Sequence, residues 1–435
     1  MKHKINLLIT SLMLVISSGP LFAAQIVNTQ NEKLPIADLE RFTTVIEHIK
    51  NYYVKPIEDD KLFENAIRGM MASLDPHSAY LDQEEFADLK ASTSGKFGGL
   101  GIEVTLEDGL IKVISPIDNT PAAKSGLRTG DLIVRIDDTP VKDLSLRDAV
   151  DRMRGKPGTD IFLTVIRKGE TKPLKIKVTR AVINVQSVSS KMLETGYAYI
   201  RISQFQSETG SDLVKEIKSL QKNGKLKGII LDLRNNPGGI LEASVQTASA
   251  FLDKDKLPYD KVVVFTKGRI SSSQVKEKAT GKDLTNGTPM IVMVNGGSAS
   301  ASEIVAGALQ DYKRAIILGT QTFGKASVQT VLPLKDQRGI KLTTALYYTP
   351  SGRSIQARGI VPDIIVDNVS IPTPAANSKD DALTVHEADL QGHLETKAPD
   401  APAVTVKDDS NLMYSDYQLY QALNALKTQQ VLSKN

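Results

Sequence analysis

Histidine is scarce where chemistry would want it. The five histidines are His3, His48, His77, His386 and His393, and none lies between Gly95 and Asp367. A Ser-His-Asp triad or a His-rich zinc site built within that stretch is therefore excluded. His77 lies outside it, at a Pro-marked turn, and reads as a structural histidine that would have to reach in from a preceding helical region. Cysteine is absent altogether, which rules out disulfides, thiol catalysis and cysteine-ligated metals. Net charge is also small. A formal +4 over 435 residues, with no basic run interleaved with aromatics, gives no reason to expect a nucleic-acid partner.

The N-terminus carries a targeting pattern. Lys2 and Lys4 precede a mostly apolar stretch, Ile5–Ser17, and Leu21-Phe22-Ala23-Ala24 offers small residues for cleavage after Ala23. This predicts a signal peptide over 1–23, with a retained anchor as the alternative, and secretion across the inner membrane to the periplasm. Residues 34–94 read as helical: Leu39, Phe42, Val45, Ile46 and Ile49 fall on one helical face, and Leu62, Ile67, Met70 and Met71 repeat the pattern. Residues 95–180 are rich in short strands and glycine turns, enough for one small domain. From 181 to 367 strands and helices alternate, the pattern of βαβ crossovers and a buried sheet. A Pro/Ala/Asp/Thr-rich stretch, 368–409, reads as a linker. The chain closes at 410–435 with an amphipathic helix bearing Tyr417, Leu419, Tyr420, Leu423 and Leu426.

Within the alternating region, Asn295–Gln329 concentrates candidate chemistry. A strand leads to Gly296-Gly297, then a run with Ser298, Ser300 and Ser302 opens an apolar helix, and a later loop carries Phe323-Gly324-Lys325. With no histidine nearby, Lys325 is the local base for a serine nucleophile, provided burial depresses its pKa from about 10.4. Gln329 lies four residues on and offers an amide to orient the lysine amine. The same serines also suit a plain structural role, since Ser300 with Glu303 fits a capping box. Spacing does not choose among the three. A helix start also supplies free N–H groups for an oxyanion.

A second glycine turn, Asp232–Gly239, joins a strongly apolar strand to a helix. In isolation it reads as a tight turn needing positive φ, but its N–H groups also suit an oxyanion hole. It lacks the Gly-Lys-Ser/Thr of a phosphate loop.

Taken together these segments resemble the carboxyl-terminal processing peptidases, the tail-specific protease family. The resemblance rests on Gly-Gly-Ser-Ala-Ser-Ala-Ser-Glu followed by Gly-Lys-x-x-x-Gln, on Asp232–Gly239, on Tyr199–Phe205, on Thr343–Asp363 and on Gly69–Tyr80. It implies that Ser300 is the nucleophile, Lys325 the general base and Gln329 the residue that positions it. It also implies an oxyanion hole from Gly238, or its neighbour Gly239, and the N–H of Ala301. Residues 95–180 resemble a PDZ domain, with Gly98, Gly99, Leu100, Gly101 and Ile102 as the peptide-binding, carboxylate-holding loop and Pro121–Ile133 as a second matching block. Clustered N–H groups beside a free strand edge suit an extended peptide end. Arg154, in Arg-Gly-Lys-Pro-Gly, is a candidate link from this domain to the active site, against a solvated arginine at a turn.

The expected fold is α+β and multidomain: helical N-terminal region, inserted PDZ domain, a mixed α/β peptidase core that the resemblance makes ClpP/crotonase-like, and a C-terminal helix. The expected function is a secreted serine endopeptidase with a Ser-Lys dyad, needing no metal or other cofactor. Its expected partners are protein or peptide substrates recognised near their C-termini, with a second copy of the chain or an adaptor protein as further candidates. Two rivals stand beside it: a non-catalytic PDZ scaffold or chaperone on a peptidase fold, and an acyl-transfer enzyme acting on thioesters.

Overall fold

A computed structural model describes residues 35–117, 119–142, 144–222, 224–372 and 410–432. The signal peptide and all but the first five residues of the linker lie outside them. The chain divides into two compact units, residues 1–67 and 68–435. The first holds helix α1 (Ile36–Tyr52) and the start of α2 (Asp59–Ala72). No helix among the described residues is long and apolar enough to cross a membrane.

The second unit opens with the end of α2, followed by the turn at Asp75–Ser78, strand β1 (Ala79–Leu81) and helix α3 (Gln83–Ser94). Asp82 and Glu85 close a capping box on α3, and Gly95 ends it in the left-handed conformation. Strand β2 (Lys96–Gly99) then leads into the small β-domain. That domain has strands β3 (Ile102–Glu107), β4 (Leu110–Pro116), β5 (Leu132–Ile136), β6 (Thr139–Pro140), β7 (Asp160–Ile166) and β8 (Leu174–Thr179). Helices α4 (Pro121–Lys124) and α5 (Leu146–Met153) cover it. Sheet order is β3-β4-β5-β7-β8, so β3 is a free edge. Ile111, Ile133, Ile161 and Leu163 fill its own core. Strand β9 (Ala181–Asn184) returns to pair with β2, so the domain leaves and rejoins the core side by side.

The core sheet takes β10 (Val188–Glu194), β11 (Tyr197–Ile202), β12 (Gly228–Asp232), β15 (Met290–Val294), β16 (Ile316–Gly319) and β19 (Ile364–Ile365), in that spatial order. All neighbours from β11 to β19 are parallel. Every residue of β12 and β15 is buried, as a parallel sheet covered on both faces requires. The pleat decides which side chain meets which layer. Ile229 and Leu231 face helices α6 (Thr209–Gln221), α7 (Leu241–Ser249) and α8 (Ala301–Asp311), while Ile230 faces the C-terminal helices. Those are α9 (Ser410–Ser415) and α10 (Tyr417–Leu432), and Leu419, Leu423 and Leu426 of α10 seal that face.

A second sheet stands beside it: β1, β18 (Gly339–Tyr348), β13 (Val262–Gly268) and β14 (Lys276–Lys278), with β17 (Ser327–Pro333) also paired to β18.

Candidate active site

Two glycine turns meet at the carboxyl ends of parallel strands β12 and β15, the usual place for a site in such sheets. They are tied together by the serines on either side of Ser300. Ser298 Oγ donates to the Leu233 carbonyl at 2.8 Å and Ser302 Oγ to the Asn236 carbonyl at 2.9 Å, and both residues are fully buried. Ala299 N–H also donates to Asn236 O. Of the three serines only Ser300 is partly exposed. It sits at φ 54°, ψ −113°, a conformation unfavourable for a residue with a Cβ and typical of strain held at working sites. Half of the expected capping box forms: Ser300 N–H donates to Glu303 Oε2 at 2.8 Å, while Glu303 N–H donates to the Ser300 carbonyl and leaves the hydroxyl uncommitted to the cap.

The Asp232–Gly239 turn packs directly on this serine. A Cβ on Gly238 would lie 2.8 Å from Ser300 Cβ and 2.9 Å from Ala301 N, and one on Gly239 would lie 2.0 Å from the Phe205 carbonyl. Positive φ at both, 101° and 142°, adds to the requirement for glycine. Ala301 N–H and Gly239 N–H have no hydrogen-bond partner among the described residues, whereas Gly238 N–H donates to Asn236 Oδ1 at 2.9 Å. The expectation for Gly238 is thus qualified: the turn's own asparagine occupies that donor.

Lys325 arrives on the loop after β16. Glu303, wholly buried at the start of α8, accepts from Thr322 Oγ1 (2.6 Å), Gly324 N–H (2.7 Å) and Lys325 N–H (2.9 Å). Tyr347 Oη on β18 reaches both the Ser300 carbonyl (2.9 Å) and the Lys325 carbonyl (2.5 Å). The main chains of Ser300 and Lys325 are thereby brought together. Burial pushes the Lys325 ammonium below its ordinary pKa, Lys341 pushes the same way, and Asp75 and Glu303 oppose them. Gln329 turns its Nε2 to Ser327 Oγ (2.8 Å) and Thr343 Oγ1 (3.4 Å). Among the described residues neither it nor Ser300 is hydrogen-bonded to Lys325 Nζ.

The Asp75–Ser78 turn, part of the Gly69–Tyr80 block that carries the family resemblance, had no assigned role in the site, yet it belongs to this neighbourhood. Burial opposes ionisation of Asp75, but hydrogen bonds from Ser78, from the His77 and Ser78 N–H groups and from Thr343 hold it down at about 2. Thr343 stands opposite Gln329 across the β17–β18 pair, so the turn is fastened to the strand that carries Gln329's partner. Burial, then the nearby Lys325 charge, hold His77 below its ordinary value. The turn that carries His77 is thus tied through Thr343 to the strand pair bearing Gln329, nearer to the chemistry than its place in the chain suggests. The Asp-Pro turn and the Gly69–Tyr80 match were the signals for it.

In the β-domain, Leu100 and Gly101 carry the free loop. Their carbonyls accept from Ala122 and Ile117, and their N–H groups donate to nothing among the described residues. Gly98 and Gly99 lie instead in β2, paired with Val182 and Ala181 of β9, and Ile102 opens the edge strand β3. A Cβ on Gly98 would lie 2.0 Å from the Gly155 carbonyl, which explains that glycine by packing. Arg154 pairs with Asp88 of α3 (2.6 Å) and lies over the Phe97 ring, so it joins the β-domain to α3 and not to Ser300 or Lys325.

A PDZ-type domain set ahead of an α/β core, with a strained serine between two glycine turns, is the layout of a PDZ-containing serine peptidase. The profile of peptidase family S41 matches residues 196–366, that of the PDZ domain residues 98–178, and that of the activating protease CtpB N-terminal domain residues 19–85. A carboxy-terminal-processing protease of Bartonella bacilliformis is 49% identical over 385 residues, covering 88% of this chain and 86% of that protein. The carboxy-terminal processing protease CtpA of Bacillus subtilis is 36% identical, covering 75% and 68%. Among solved structures, a photosystem II D1 C-terminal processing protease aligns over 75% of this chain and 86% of its own, at 32% identity and a TM-score of 0.44. The chain belongs to the S41 peptidases, within the carboxy-terminal-processing proteases, and is a serine-type peptidase.

Proposed function

We propose that this chain is a periplasmic endopeptidase that captures protein C-termini on its PDZ domain and cleaves them with a Ser300–Lys325 dyad. Ser300 Oγ attacks a peptide carbonyl as neutral Lys325 takes its proton. Ala301 N–H and the Gly238–Gly239 turn receive the developing oxyanion. Protonated Lys325 then gives its proton to the leaving amine, and water hydrolyses the acyl-enzyme with the lysine again as base. Gln329 orients the amine once its amide turns from Ser327. For Gly238 to donate, Asn236 Oδ1 must release it; Gly239 N–H is the unengaged donor of the pair.

The observation that carries this reading is the state of Ser300. It is the partly exposed serine of its run, it is held at positive φ, and it lies beside an uncommitted N–H at the start of an apolar helix. The free Leu100 and Gly101 N–H groups beside edge strand β3 support capture of a terminal carboxylate. Residues 1–23 support export to the periplasm, and a second copy or an adaptor protein would act at surfaces outside the site. The test compares wild type with Ser300→Ala on an unstructured peptide bearing a free or amidated C-terminus. Cleavage should vanish in the variant, and amidation should raise KM. Unchanged cleavage by Ser300→Ala overturns the nucleophile, and indifference to amidation overturns C-terminal capture.

A further inference from the structure

Among the described residues three acids have a fully buried carboxylate: Asp131, Asp232 and Glu303. Asp131 is paired with Arg167 and Asp232 with Arg234. Glu303 forms no ion pair among the described residues. Its charge is held instead by four neutral donors: the N–H groups of Ser300, Gly324 and Lys325 and the hydroxyl of Thr322. Three N–H groups and one hydroxyl face its two oxygens and favour the carboxylate, working against the burial that pushes the Glu303 pKa up. Burying an anion this way is costly unless every lone pair is used, so the arrangement calls for a reason beyond packing.

The reason lies in where the bonds end. Glu303 Oε2 takes both the Ser300 N–H and the Lys325 N–H. Tyr347, 2% exposed, answers from the other side, with its hydroxyl shared between the Ser300 and Lys325 carbonyls. The two side chains come from different elements, α8 and β18, yet both bridge the same two residues. Tyr347 is itself held by its N–H on the Ala326 carbonyl, and Glu303 by the buried first turn of α8.

We propose that Glu303 and Tyr347 form a two-sided bracket that fixes the main chains of Ser300 and Lys325 against each other, acting as positioning residues for proton transfer from serine to lysine. The proposal rests on the dyad reading above. The N–H and C=O of both residues are pinned, so only side-chain torsions remain to bring Oγ and Nζ together. One torsion governs Oγ; its place is therefore set by the bracket.

The groups facing the Lys325 ammonium are Glu303 from α8, Lys341 from β18, and Asp75 and His77 from the turn before β1. Tyr347→Phe changes none of these charges and keeps the ring. It should lower kcat by roughly ten- to a hundredfold, as sub-ångström misplacement does, with KM within about twofold and the acid limb of the pH profile in place. Glu303→Gln should also lower kcat, and it should move that limb to lower pH, because an anion that favours the ammonium is gone. A merely structural prop would change thermal stability while turnover per folded enzyme and the limb stayed put.

The experiment measures kcat, KM and pH profiles on one fluorogenic peptide for wild type, Tyr347→Phe, Glu303→Gln, Ser300→Ala and Lys325→Ala, each normalised to folded enzyme by thermal melting. Folded Tyr347→Phe with wild-type kcat overturns the bracket, as does a folded Glu303→Gln whose acid limb stays or moves to higher pH. If Glu303→Gln does not fold, Tyr347→Phe decides alone. Turnover surviving in Ser300→Ala or Lys325→Ala overturns the dyad itself, an outcome distinct from failure of the bracket.

Discussion

Asp416→Ala should unfasten the C-terminal helix from the sheet. Asp416 accepts from Arg234 Nη1 at 2.9 Å and Nη2 at 2.7 Å, and it also caps α10 by accepting from Leu419 N–H at 3.0 Å. Loss of such a cap costs about 1 kcal/mol. Loss of the two charge-assisted bonds costs about 2 kcal/mol. Arg234 keeps Asp232 and Gln418, so the larger penalty of an orphaned buried charge does not apply. A loss of about 3 kcal/mol corresponds to roughly a hundredfold faster opening of α10. Hydrogen exchange read by mass spectrometry on peptides from 417–432 measures it directly. Burial works against the Asp416 carboxylate, but Arg234 and the Leu419 N–H hold its pKa below the ordinary range. Its stabilisation is therefore complete above the unfolded value of about 3.9 and is lost as pH falls through the lower folded value, so the gap between variant and wild type should close in acid. Unchanged exchange in α10, or equal acceleration in every peptide, would refute this.

Three further outcomes follow from the geometry. Gly239→Ala would place a Cβ 2.0 Å from the Phe205 carbonyl at φ 142°, so kcat should fall more than about tenfold for a displacement of the turn; wild-type kcat would contradict it. Asp75→Asn removes an anion that favours the Lys325 ammonium and loosens the Thr343 contact, so the acid limb of kcat/KM should move to lower pH, as pH titration of initial rates will show. Asp131→Ala leaves Arg167 partly buried without its partner, and should destabilise the PDZ domain by about 3 kcal/mol in denaturant titration.

The multidomain α+β layout and the order of its regions were legible because periodicity changes sharply along the chain and the glycine turns sit between strong strands. The hairpin β17–β18 was not, because Val331, Leu332 and Leu334 are exposed and the run lacks strict alternation. Nor was the Asp75–Ser78 turn's place beside Lys325, which depends on β1 pairing with a strand more than 250 residues later. Ser298, Ser300 and Ser302 look equivalent at two-residue spacing. What separates them is a pair of carbonyls, Leu233 and Asn236, supplied by another turn. Tyr347 is one of two adjacent tyrosines, Tyr347 and Tyr348, and nothing local says which hydroxyl will find two backbone oxygens.

The proposed dyad assigns the base to Lys325 and not to His77. The most direct measurement is the pH dependence of kcat/KM for wild type, Lys325→Ala and His77→Ala on one peptide. Activity should rise with pH in a single limb whose midpoint lies below the free lysine value of about 10.4, be abolished in Lys325→Ala, and survive in His77→Ala. A limb that disappears in His77→Ala, with activity retained in Lys325→Ala, would contradict it.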